Sequence, residues 1–512
     1  MTILIKNVLL VDGSGRPPVK SDVLVRGEKI AAIGNFPQYS RADEVIDGLG
    51  TAYLSPGFID INTNADLYLN LFSDPLQENF LLQGVTTIIG GQNGISLAPI
   101  LYGSLELQKF FSNPLKINVN WHSLADFLNV LSRRSLGVNF GMLVGHSTVR
   151  QEITGDDFRD LTLKELDVLK FVIDKSLQEG ALGVSFDLNF PVANLSPYKE
   201  IRALLEVVEK YKSLASVKLR NVSDVIVSLK NGEENFIAAV NEILNLSKET
   251  GAKMQLNNFS CLKGLEKEYE ESLNLIADNS ASADIYFNLH PFDTSIIPLF
   301  SFLPSWAKRG SFKEMGEILE SKGSRAKIKK DFPEFKPENV FIFQIVGHDY
   351  LIGKSLKEFS HERELNSKEG LLELMRLAKL RGNVVYKNLS LKVMAGALNS
   401  DRSIIASSFG GFSKGRPSLR LIEFQNTFKR ILELSLKGGV LPIEAAVKKM
   451  SALPAQRLGL KNKGVIKEGY SADLVVFRES EIDAVIVNGK IAVKNGELTN
   501  VKNGKVLRRA DK

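Results

Sequence analysis

The residues able to do chemistry in this 512-residue chain cluster where apolar runs end. Pro56-Gly57-Phe58-Ile59-Asp60-Ile61-Asn62-Thr63-Asn64 passes from an apolar run into alternating polar side chains, with Asp66 just beyond. Gln92-Asn93, His146 with Arg150, Lys218 with Arg220, Asn257-Asn258, His290 and Ser408 each follow another such run. Carboxamides both donate and accept hydrogen bonds, but they offer none of the thiolate, imidazole or carboxylate groups that zinc prefers. The Lys218 ammonium can hold a carboxylate or an oxyanion. If desolvated it can instead act as base toward Ser408. Lys218, Ser408 and His290 are therefore the catalytic candidates.

Side chains spread over the whole sequence meet only if a fold brings the run ends together. The runs are 54–61, 85–89, 140–144, 182–185, 214–217, 253–256, 285–289 and 404–406, and amphipathic helices separate them. Thr162 and Glu165 have capping-box spacing before a helix expected to bury Leu166, Leu169 and Val172 and to stop before Gly180. Further helices are expected over 233–249, ending at Gly251, and from Pro442 to about Met450. Eight strands alternating with helices predict a parallel (β/α)8 barrel of TIM type, with chemistry at the carboxyl ends of the strands. Short strands with turn residues at 1–55 and 441–512 predict one β-sandwich made from both termini. The barrel then covers 56–440, and 300–350 breaks the alternation as an insertion.

The first run is similar to the P-G-F-[IV]-D-x-H-x-H signature of the amidohydrolase superfamily, whose two histidines bind a catalytic metal. Other segments resemble the N-acyl-D-amino-acid deacylases (D-aminoacylases). Gly84-Val85-Thr86-Thr87 through Gly91-Gln92-Asn93-Gly94-Ile95-Ser96 is similar to G-V-T-T…G-N-C-G-I-S, and Gly145-His146-Ser147-Thr148-Val149-Arg150 to G-H-x-T-x-R. Glu179 to Ser185, Leu303-Pro304-Ser305-Trp306, Met450 to Ala455 and Gly469 to Phe477 extend the resemblance over nearly the whole chain. It implies metal ligands at Asn62, Asn64, Asn93, Lys218, Asn258 and Ser408, and all six residue types differ from the family's. Asp401 is the alternative for the last position. Phe190 stands where the family places a substrate-contacting tyrosine, and H-P-R is not recoverable around Arg416-Pro417-Ser418. Asp60, Asp66 and Arg150 match the family pattern.

No metal and no cofactor are expected. The pocket set is Asp60, Asn62, Asn64, Asp66, Asn93, Arg150, Lys218, Arg220, Asn258, His290 and Ser408, with His146 a buried structural histidine. Three readings of it stand open: a polar plug of mutually bonded asparagines, a metal-free ligand pocket or altered enzyme, and a Ser408–Lys218 nucleophilic pair. The leading expectation is a metal-independent pseudoenzyme acting in binding, regulation or scaffolding. The alternative is a metal-independent enzyme acting on an amide or other C–N bond. A small anionic or N-acyl amino acid-like ligand and a protein partner fit either.

Composition excludes other classes. Lys+Arg 65 against Asp+Glu 59 lacks the concentrated basic stripe of a nucleic-acid binder. The densest basic run, Lys322 to Lys330, reads as the solvated face of a helix. No apolar stretch reaches the ~20 residues of a membrane helix. One cysteine, Cys261, and an N-terminal strand broken by Lys6 lead to a cytoplasmic expectation.

Overall fold

A computed structural model describes residues 1–36, 42–102, 105–220, 222, 225, 236–308, 310–410 and 426–509. Arg416-Pro417-Ser418 and the first residues of the helix expected from 233 lie outside them.

The two termini build one sheet. Thr2–Leu10 pairs antiparallel with Val19–Arg26 and parallel with Glu44–Asp47 and Tyr53–Pro56. Tyr53–Pro56 in turn pairs with Leu474–Arg478, which continues into Glu481–Val487 and Lys490–Lys494. Strand alternation puts Ile3 and Ile5 in the core, yet Val8 and Leu10 join the same core. The register shifts between Ile5 and Val8, with Asn7 at φ 55°, and this extra residue restores the inward face.

Eight parallel strands follow in sequence order: Phe58–Asp60, Val85–Gly90, Asn139–Met142 continued by Val144–Gly145, Gly183–Asp187, Leu214–Lys218, Lys253–Leu256, Ile285–Leu289 and Ser403–Ile405. At Leu143, between the two parts of the third strand, the N–H still bonds Gly90 O of the second strand at 3.0 Å, and Val144–Gly145 pairs with the fourth. The ring closes beyond the last strand, where Ser408 N–H bonds Asn62 O and Asn64 N–H bonds Phe409 O, both at 3.0 Å. The fold is thus a TIM-type (β/α)8 barrel with a small β-sandwich formed by both termini.

Leu163–Gln178 forms with the expected Thr162–Glu165 capping box. It buries Leu169, Val172, Ile173 and Leu177, while Leu166 is only half-buried. Phe236–Thr250 ends at Gly251, and Pro442 caps Ile443–Met450 from just outside the helix. Beyond residue 440, Ile443–Met450 and Ala452–Leu458 still pack against Phe58–Asp60. The interruption of the barrel runs from Ser295–Pro298 to Gly382–Tyr386, and Gly382–Tyr386 pairs with both Ser295–Pro298 and Val340–Ile345 in a separate antiparallel sheet. It has its own core around Phe302, Met315, Ile342 and Phe359. The basic run is the helix Lys322–Asp331, in which Ile328 alone is buried. Among the described residues no helix is long and apolar enough to cross a membrane.

Candidate functional site

A cleft of about 120 Å³ opens at the carboxyl ends of the barrel strands. Six of the expected residues line it: Asn64, Asn93, Lys218, Asn258, His290 and Ser408. Asp60, Asn62 and Asp66 lie buried outside this lining.

The cleft stands on a belt of side-chain amides. Asn62 Nδ2 donates to Asn258 Oδ1 at 2.9 Å, to Ser408 Oγ at 3.1 Å and to Asn288 Oδ1 at 3.4 Å. The Ser408 hydroxyl in turn donates to Asn258 Oδ1. Asn288 Nδ2 donates to Asn257 Oδ1 at 2.6 Å, and Asn257 Nδ2 to Gln92 Oε1 at 3.0 Å. Gln92 also accepts from Ser216 and closes the circuit by donating to Ile61 O at 2.7 Å. Asn93 Nδ2 reaches Asn64 Oδ1 at 3.3 Å. Buried amides demand such partners, and amides can supply both sides of each bond. Gly91 permits the turn into Gln92: its φ is 69°, and a Cβ there would sit 1.9 Å from Leu143 O. Asn93, Asn258 and Ser408 carry φ of 54°, 53° and 55°. Asparagine tolerates this left-handed region, whereas serine is strained in it.

The Lys218 Nζ lies 4.0 Å from the Asp187 carboxylate, and the two share the cleft lining. Burial lowers the His290 imidazole to about 4, so it is neutral near pH 7. Burial raises Asp60 to about 7, against donors from Ser407 and the Asn62 N–H. Burial likewise raises Asp66 to about 6, against the Gly91 N–H at 2.7 Å.

Other expected site residues are placed elsewhere. Arg150 is fully buried in the helix His146–Thr154, its Nε 3.0 Å from Glu200 Oε1. Glu200 also meets His146 Nε2 at 2.9 Å, which makes His146 the structural residue expected. Burial pushes the Glu200 carboxyl up, but His146 and Arg150 outweigh it and hold the group down at about 2. Arg220 pairs with Glu242 at 3.1 Å. Neither arginine lines the cleft. Asp401 is exposed at the amino end of Ser403–Ile405, so Ser408 is the residue that the eighth strand delivers to the site.

Sequence reasoning missed Asp187, Asn288 and Asn383. The fourth strand was expected to end at Ser185 but runs to Asp187, on the same face two residues later. Asn288 sits inside the apolar run Ile285–Leu289, and nothing local distinguishes it from core.

The sequence profile of the amidohydrolase family matches residues 395–492. An N-acyl-D-aspartate deacylase of Alcaligenes xylosoxydans xylosoxydans is 26% identical over 96% of this chain and 89% of its own length. A D-aminoacylase of the same organism is 26% identical over 99% of this chain and 97% of its own. Over nearly its whole length the chain is similar to N-acyl-D-amino-acid deacylases, and its fold is theirs. A D-aminoacylase crystal structure superposes with a TM-score of 0.80 at 24% identity, covering 99% of each chain. So does an N-acyl-D-glutamate deacylase from Bordetella bronchiseptica, at 22% identity with the same TM-score of 0.80 and coverage of 99% of each chain. That enzyme was solved with zinc and a phosphonate inhibitor mimicking the reaction's tetrahedral intermediate.

The residues of this chain do not fit such a metal. Where a cation would need converging oxygens or nitrogens, the Asn62 NH2 group already stands among three oxygen acceptors. Lys218 in the cleft lining is an ammonium, which has no lone pair to offer a metal ion. Among the described residues no group of three or more His, Cys, Asp or Glu side chains is placed to hold a metal ion. The hydroxyl hydrogen of Ser408 is committed to Asn258, which leaves the Ser408–Lys218 nucleophilic pair without support.

Proposed function

We propose that this chain is a metal-independent pseudoenzyme of the deacylase family, which binds a small N-acyl amino acid-like ligand at the barrel mouth and acts through that binding, in regulation or scaffolding. The amide belt around Asn62 carries the reading. It uses the hydrogen-bonding capacity of five of the six ligand positions on one another, Asn62 with Asn258 and Ser408, and Asn93 with Asn64. No bound water with a pKa lowered towards ~7 is then available to attack an amide. The cleft is retained above the belt, which favours a ligand over a closed plug. A metal-independent enzyme acting on a C–N bond is the second reading, favoured by the meeting of Lys218 and His290 in one lining.

The test is incubation of the purified chain with a panel of N-acyl-D-amino acids, with added zinc and with chelator, alongside calorimetric binding. Saturable binding without product in either condition is the expected result. Zinc-dependent turnover would overturn the pseudoenzyme reading, and turnover in chelator would replace it with the second.

A further inference from the structure

Resting on that binding-protein reading, we infer that the cleft recognises its ligand through an amide group, by N–H and C=O together, and not through a carboxylate. Asp187 and Lys218 are the acid and the ammonium of the lining, and they lie 4.0 Å apart. Their charges offset one another, so among the described residues the lining presents no surplus positive charge to draw an anion. Its polar character comes from asparagine: Asn64, Asn93, Asn257, Asn258, Asn383 and Asn388 all line it.

Two of these carry buried atoms without a hydrogen-bond partner among the described residues, the acceptor Asn93 Oδ1 and the donor Asn383 Nδ2. Asn383 is 2% exposed. Buried polar groups are almost always paired, so an unmatched donor and an unmatched acceptor in one lining call for a ligand carrying both. A carboxylate has acceptors only and leaves Asn93 Oδ1 facing a like partner. An amide satisfies both, its C=O taking the Asn383 N–H and its N–H reaching Asn93 Oδ1.

The two groups come from different parts of the fold. Asn93 follows the second barrel strand, and Asn383 lies in Gly382–Tyr386 of the insertion sheet. A bound amide therefore links the insertion to the barrel. Phe111, Phe190 and Phe259 supply flat apolar wall for the rest of the ligand. The occupant class is a small neutral secondary amide with an apolar substituent.

Calorimetry with three probes, each as both enantiomers, tests this. N-acetylleucine keeps amide and carboxylate, its methyl ester keeps only the amide, and methyl 2-acetoxy-4-methylpentanoate replaces the amide N–H by oxygen. The acid and the methyl ester are expected to bind within about 3-fold of each other, and the acetoxy compound at least ~10-fold more weakly. Asn383→Ser, checked by urea denaturation to be folded, is expected to weaken the methyl ester at least ~10-fold. An acid that binds ~10-fold tighter than its ester with strong salt dependence overturns the inference and leaves the binding-protein reading intact. Equal affinity for the acetoxy compound and the methyl ester overturns it as well. Acetate release from the acid or its ester overturns the pseudoenzyme reading. Absence of binding for all three overturns reading and inference together.

Discussion

Asn62→Asp exchanges an NH2 group for oxygen at the centre of the belt. Asn62 is 0% exposed, and its Nδ2 faces oxygens at 2.9, 3.1 and 3.4 Å. A carboxylate there would set acceptor against acceptor, without the water that solvates an exposed aspartate. The group escapes by taking a proton, after which it can donate one hydrogen bond in place of the lost amide donor. Holding it neutral near pH 7.5, about 3.6 units above the free aspartate value of ~3.9, costs about 5 kcal/mol at ~1.4 kcal/mol per unit. The sign follows from linkage. A carboxyl whose pKa rises on folding carries no penalty below its unfolded value, and loses stability as pH rises towards the folded one. Near pH 4.5 the same substitution therefore costs only about 1 kcal/mol. Urea denaturation of the variant and the parent at both pH values reads the difference. A variant as stable as its parent near pH 7.5, or one that zinc stabilises more than the parent, would refute the belt.

The buried Arg150–Glu200 pair makes a separate prediction: Arg150→Met leaves the Glu200 carboxylate with too few partners and lowers stability by about 3–5 kcal/mol. A urea midpoint shift worth less than ~1 kcal/mol would contradict that placement. Asp60 has a folded pKa of about 7, above the unfolded 3.8, so its contribution to stability declines as pH rises through that window. The thermal midpoint of the parent relative to Asp60→Asn is expected to fall between about pH 5 and pH 8, and a flat difference counts against it. His290, held near 4 by burial, stays neutral across that range. Its ring NMR resonances are then flat from about pH 5.5 to 8, and a transition of those resonances near ~6.5 would show an imidazole that titrates normally.

What the sequence discloses follows from how each element is read. Barrel strands are buried on both faces, so Val85–Gly90 and Leu214–Lys218 stand out as continuous apolar runs, and their polar ends mark the mouth. The capping box at Thr162 is local and equally legible. Partners far away in sequence are not. Arg150 has the position of a cleft cation, but its orientation depends on Glu200, fifty residues on, in a separate helix. Asn288 and Gln92 enter the belt only because the register of neighbouring strands turns them inward. Asn383 arrives from the insertion sheet, whose limits no periodicity marks. The six positions that differ from the resembled ligand pattern are legible in the sequence, while the amide belt that joins five of them emerges only from tertiary structure.

The most direct measurement is zinc stoichiometry and affinity on the freshly purified full chain, by elemental analysis followed by calorimetric titration. An amide belt predicts substoichiometric zinc and no saturable binding tighter than about 100 μM. About one tightly held zinc per chain, removable only by chelator, would show that these asparagines do not stand in the metal's place.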